Sequence, residues 1–166
     1  MELDTGLFVK AATDCEAICN AIPFELGDGS GVGMPIFNES DICFNGSKNS
    51  RHFANSRASI HRSDGLQLSN RQVSPCGDGS FETFAVPRYR EADELRKHGL
   101  YFDFCKTGRR PCDLNVQACL VILSHYFGDD VFRVESDGSE VEWNEARQAC
   151  HAVLGYGLEF QFQSEI

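Results

Sequence analysis

The stretch LYFDFCKTGRRPCDLNVQACLVILSHYFGDDVFRVESDG, residues 100 to 138, reads as strand, cationic turn, buried helix, strand and acidic turn. The helix decides the rest. Val116, Cys119, Leu120, Leu123 and Phe127 follow the spacing of one helical face, while Ala118, Val121, Ile122 and Tyr126 fill a second. A helix apolar on two faces must be covered on both. Pro111 and Asp113 are start signals, because proline has no amide to leave unpaired in the first turn and aspartate accepts from the exposed amides. Gly128 is the stop. Asn115, Gln117 and His125 make the segment too polar, and its length too short, to span a bilayer.

Before the helix, Leu100, Phe102, Phe104 and Lys106 alternate with Tyr101, Asp103, Cys105 and Thr107, the period of a strand with one better-buried face. That strand delivers Lys106 and Thr107 to a turn where Arg109 and Arg110 also crowd the amino end of the helix. Unpaired amides and the helix dipole favour an anion there, so Lys106, Thr107, Arg109 and Arg110 are candidate anion-binding residues. The competing expectation is that the cations pair with Asp103, Asp113 or Asp137 and hold the turn. Cys112 is a weak candidate nucleophile, since a thiol beside two arginines at a helix start ionises more easily, although Asp113 opposes this. Asp137, in Ser-Asp-Gly, reads as a turn former.

Along the rest of the chain, Gly6 to Ala11 reads as a first strand. Thr13 and Glu16 read as a capping box for a short helix striped by Cys15, Ile18, Cys19 and Ile22 and ended by Pro23. Gly27 to Gly33, GDGSGVG, contains no phosphate-binding signature and reads as a loop. Asp41 to Asn45 is a short strand closed by an Asn45-Gly46 turn. Residues 47 to 80 form a long polar excursion, expected to be the least ordered region, with a cationic character from Arg51, His52, Arg57, His61, Arg62 and Arg71. Phe81 to Val86 is a strand, and Arg90 to His98 a charged helix or link. Ser139 and Glu142 cap a last helix carrying Trp143, Ala146, Cys150, Val153 and Leu154, stopped by Gly155. Leu158, Phe160 and Phe162 alternate with polar residues as a final strand. The expected fold class is α+β: residues 1 to 166 as one domain, with a single mixed or antiparallel sheet of five or six strands and two or three packed helices.

The net charge of −10 is spread unevenly. Residues 1–47 hold one Lys/Arg and eight Asp/Glu, residues 48–110 twelve and seven, and residues 111–166 two and ten. Acidic ends enclose a basic middle. Such acidity disfavours direct nucleic-acid binding, which draws its affinity from basic surface, and fits either a well-solvated surface or an acidic face for a partner's cationic groove. None of the eight cysteines forms a Cys-x-x-Cys pair, so free thiols are expected, with no structural zinc and no cofactor. Cys15 and Cys19, one helical turn apart, read as core residues rather than ligands. With no secretion signal or spanning segment visible, a cytoplasmic setting without membrane association is expected.

CKTGRRPCD and the later SDG resemble a family of small uncharacterised bacterial and phage proteins. In that family a phenylalanine-rich strand ends in Cys-Lys-Thr, followed by a basic pair, Pro, an aromatic, Asp, a buried helix and a strand ending in Ser-Asp-Gly. The matching residues are Cys105, Lys106, Thr107, Arg109, Arg110, Pro111, Asp113, Ser136, Asp137 and Gly138, and FETF, Phe81 to Phe84, fits the same pattern. Cys112 stands where the family has tyrosine. The resemblance covers about half the chain and implies no established activity.

Three function classes follow. The first is a non-enzymatic acidic binding or inhibitory protein, for which a phage anti-defence protein of the anti-CRISPR kind is one case, occupying a cationic surface on a protein partner. The second is an enzyme acting on a phosphorylated or other anionic substrate at the Lys106 to Asp113 turn. The third is a small structural or assembly protein.

Overall fold

A computed structural model describes residues 2–49, 78–91, 96–97 and 100–164; most of the polar excursion expected at 47 to 80 lies outside the described residues. The central helix forms as its pattern requires: α2, Asp113–Phe127, buries Leu114, Val116, Ala118, Cys119, Val121, Ile122 and Leu123 and ends at Gly128. The last helix, α3, Glu140–Leu154, carries the expected capping box between Ser139 and Glu142 and stops at a left-handed Gly155. The extents of both helices follow local rules, although the N-cap of α2, Cys112, makes no side-chain capping bond.

The first helix corrects the sequence reading. Residues expected as a strand and then a helix form one helix, α1, Thr5–Ala21, capped by Asp4, whose side chain accepts from the Leu7 amide. The 3.6-residue period already runs through Phe8, Ala11, Ala12, Cys15, Ile18 and Cys19, all buried, whereas a two-residue period needs only chance alternation to show over six positions. Thr13 caps nothing: its hydroxyl donates to the Val9 carbonyl within the helix.

Packing orders the three helices around α2, which touches both α1 and α3, while α1 and α3 also meet. Asp14 reaches Tyr126 and Cys19 reaches Cys119, so α1 runs opposite to α2. Cys150 reaches Ala118, and Tyr156 joins Tyr126 at Asp14, so α3 runs alongside α2.

The main sheet is open and antiparallel with four strands, close to the single mixed or antiparallel sheet of five or six that the sequence leads one to expect. Its strands are β1 (Leu26–Gly27), β2 (Ile36–Phe37), β3 (Asp41–Gly46) and β4 (Phe84–Pro87). β3 is central, pairing with each of the others; β2 and β4 both pair Ile42 and Cys43 and so lie on its opposite edges. Ile42, Phe44 and Phe84 supply the sheet's contribution to a core shared with Phe8, Ile18, Leu114, Ile122 and Trp143. Outside this sheet lie two separate pairs, antiparallel β5 (Arg96–Lys97) with β6 (Leu100–Tyr101) and parallel β7 (Glu135–Ser136) with β8 (Gln163–Ser164), and an isolated antiparallel bridge between Glu2 and Tyr89. The architecture is thus α+β with three helices and an antiparallel sheet.

Two expected strands shrink for a shared reason. Beyond Tyr101 the chain leaves regular structure, and Phe102 and Phe104 are exposed rather than buried. Leu158 to Phe162 is likewise irregular up to β8, with Phe160 and Phe162 packed on Trp143 at ring-centroid distances of 5.2 and 5.1 Å. Alternating aromatics signal a strand only where a neighbouring strand is available to pair with it. No helix among the described residues is long and apolar enough to cross a membrane.

Candidate functional site

The turn before α2 is built by its own hydrogen bonds. Thr107 accepts through its carbonyl from the Arg110 amide, and Arg110 in turn from the Asp113 amide. Between them Gly108 and Arg109 both take left-handed backbone angles, φ 57° and 55°. That conformation is free for glycine and disfavoured for arginine, so the surroundings must hold Arg109 in it. The Thr107 hydroxyl donates to Asp113 at 2.7 Å, and Gln117 approaches the same carboxylate at 3.5 Å. Asp113 is buried and anchors the turn to the first turn of α2.

The candidate cations take separate partners. Lys106 lies over the Phe104 ring, 5.9 Å from its centroid. Arg109 is mostly exposed, with Glu142 of α3 at 3.6 Å. Arg110 donates to the Asp78 carbonyl and sits over Phe81. The turn therefore brings Thr107, Arg110 and Asp113 into one framework and sends Lys106 and Arg109 elsewhere. Cys112 is buried, its sulfur toward the Gly79 carbonyl at 3.8 Å. Asp137 is exposed, and its neighbour Ser136 holds the Ser-Asp-Gly turn instead, accepting from the Gly138 amide and from the Trp143 indole nitrogen.

Asn45, read from sequence as the end of a strand and half of the turn that closes it, is the residue that organises this region. It is buried, still paired within the sheet to Gly27. Its amide nitrogen donates to the carbonyls of Gly29 and Phe81, and its oxygen accepts from the amides of Phe81 and Gly46. One side chain thus ties the 28–33 loop and the 78–83 segment to the sheet. The first of these loops is closed to phosphate: the Asp28 carboxylate accepts from the Ser30 amide and hydroxyl and from the Val32 amide. Those bonds, the Ser30 hydroxyl foremost, hold Asp28 below the usual carboxylate range.

On the opposite, helical side, Asp14 accepts from both Tyr126 and Tyr156, at 2.7 and 2.6 Å, through the same oxygen. His125 stacks on Tyr156 and approaches Glu159 at 3.6 Å. Burial, then Asp14, pushes both phenols above the ordinary tyrosine range. A raised folded-state pKa makes the contribution complete below the unfolded value of about 10 and progressively lost as pH climbs above it. Absorbance at 295 nm against pH is expected to show these two tyrosines resisting ionisation until the protein unfolds. Asp14→Asn should bring both midpoints down without abolishing the shift, because burial is the larger cause; an unchanged titration curve would contradict the assignment.

Among the described residues no group of three or more His, Cys, Asp or Glu side chains is placed to hold a metal ion, and the seven described cysteines are free thiols. The fold and site therefore define an α+β protein whose aromatic, cation-edged turn leads into α2 and meets α3 through Arg109 and Glu142. Compared with known proteins, the chain matches no family model, no curated protein and no solved structure.

Proposed function

We propose that this chain is a non-enzymatic binding protein whose acidic helical layer occupies a cationic surface on a protein partner. The observation that supports the reading is that α1 and α3, one helix from each acidic end of the sequence, pack on α2 and on each other. Exposed Asp4 and Glu16 come from the first end, and exposed Asp129, Asp130, Asp137, Glu140 and Glu159 from the other. Arg147 in this layer is already matched to Glu140. Concentrating like charge weighs against the fold through self-repulsion, and steering a cationic partner gives that charge a use. The separate partners of Lys106, Arg109 and Arg110 weigh against an enzyme acting on anions at the turn, and an inhibitory, anti-defence protein would be one case of such a binder.

The test is capture of a partner from host lysate, followed by association kinetics with the purified pair. The triple variant Glu16→Lys, Asp129→Lys, Asp130→Lys is expected to slow association about ten-fold or more at low salt, and added salt to erase most of the difference. Lys106→Ala and Arg110→Ala should leave the rate near that of the parent chain. The reverse pattern, with charge reversal silent and the two alanine variants inactive, would transfer the function to the turn.

A further inference from the structure

The α1–α2 contact contains two facing helical ladders, Cys15 and Cys19 on one helix and Asn115 and Cys119 on the other, each pair one turn apart. The sulfurs of Cys19 and Cys119 are 3.8 Å apart, in van der Waals contact across 100 residues of sequence. Asn115 is fully buried, and neither its amide nitrogen nor its oxygen makes a regular hydrogen bond among the described residues. An uncompensated buried amide is costly in an apolar contact. The sulfur it acts on is that of Cys19, whose thiolate it favours against the opposing effects of burial and of Cys119.

The geometry points to a redox staple: Cys19 and Cys119 close to a disulfide when the protein meets hydrogen peroxide, locking α1 onto α2. Cys19 is the attacking thiol, being slightly exposed where Cys119 is fully buried and having the Asn115 amide beside it. Its thiolate attacks one peroxide oxygen, the O–O bond breaks, and hydroxide leaves, giving a sulfenic acid. The Cys119 sulfur then attacks the Cys19 sulfur, the S–S bond forms as the S–O bond breaks, and the hydroxyl leaves with the Cys119 proton as water. Two thiols have lost two electrons and two protons, and one peroxide has become two waters. Burial raises both thiols well above the ordinary cysteine range, so closure is slow and tracks peroxide exposure over minutes to hours. Cys150, donating to the Ala118 carbonyl at 3.6 Å, remains outside the pair. This inference rests on the packing of α1 against α2 and is independent of what the acidic layer binds.

The test treats the intact chain with hydrogen peroxide, quenches it, blocks free thiols with N-ethylmaleimide in denaturant and maps peptides without reductant. The expected result is a mass loss of about 2 Da before alkylation, a Cys19–Cys119 cross-linked peptide after it, and a thermal midpoint about 5–10 °C higher that reductant reverses. Cys15→Ala should retain the cross-link. Cys19→Ala and Cys119→Ala should abolish both it and the midpoint shift. Full alkylation of Cys19 and Cys119 after peroxide, or a cross-link joining other cysteines, overturns the proposal from the unmodified sequence alone, whatever the variants' stability.

Discussion

Trp143→Ala is expected to lower the unfolding free energy by about 3–5 kcal/mol, the range for removing a large aromatic from a core. Trp143 is buried at the start of α3. Its ring meets Phe160 and stacks on Phe162, with planes 23° apart, and its indole nitrogen donates to Ser136 at 3.1 Å. Ser136 belongs to β7, and Phe162 precedes β8, so the indole pins both members of the parallel pair to the helix. Without it the segment from Gly157 onward loses its docking surface. Urea unfolding followed by circular dichroism measures the loss, because Trp143 is the single tryptophan and the variant has no indole fluorescence to follow. Trp143→Phe, keeping a ring and losing the Ser136 bond, should fall between the two. A loss below about 1 kcal/mol for the alanine variant would mean that Phe160 and Phe162 hold the segment without it.

Gly46→Ala is expected to cost about 3 kcal/mol and to loosen the Asn45 hub. A methyl group at Gly46 would lie 2.0 Å from the Gly79 carbonyl oxygen, 2.6 Å from its carbon and 3.2 Å from the Cys112 sulfur. The first two are backbone atoms, so no side-chain rotation relieves the clash and the irregular 78–81 segment must move. It would then leave Asn45, whose oxygen holds the Phe81 amide at 2.9 Å. Amide exchange at Phe81 is the direct reading and should accelerate in the variant, with urea unfolding giving the stability loss. Unchanged exchange at Phe81 together with a loss under 0.5 kcal/mol, the range of an ordinary surface substitution, would show that the loop approaches Gly46 less closely than described.

The legible parts of this protein were those where a local rule and the tertiary environment agree. α2 and α3 could be bounded from the sequence because their apolar periods run over fifteen residues each and their ends carry their own signals, Pro111 and Gly128 for one, Ser139, Glu142 and Gly155 for the other. Ser139 satisfies the amide of Glu142 wherever the helix packs, so no distant contact is needed to decide it. The turn of Lys106 to Asp113 was likewise visible as a turn, from Thr-Gly-Arg-Arg-Pro. Its chemistry was not. Whether Lys106, Arg109 and Arg110 share one space depends on Phe104, Glu142, Asp78 and Phe81, four residues from outside the turn.

What the amino-acid sequence determined by itself is therefore the α+β class, the central and final helices, and the uneven division of charge between ends and middle. Tertiary structure alone decided that Asn45, at the end of its strand, is a buried hub, and that Phe102 and Phe104 face outward. It also packed α1 and α3, helices from opposite ends of the sequence, on α2 and on each other, and brought Cys19 against Cys119. The physical reason is range. Helix periodicity and capping are settled by hydrogen bonds within a few residues of chain, whereas the sign of a strand's exposed face and the environment of a polar side chain are settled by whatever packs against it, here from 36 residues away between Asn45 and Phe81 to 100 between the two cysteines.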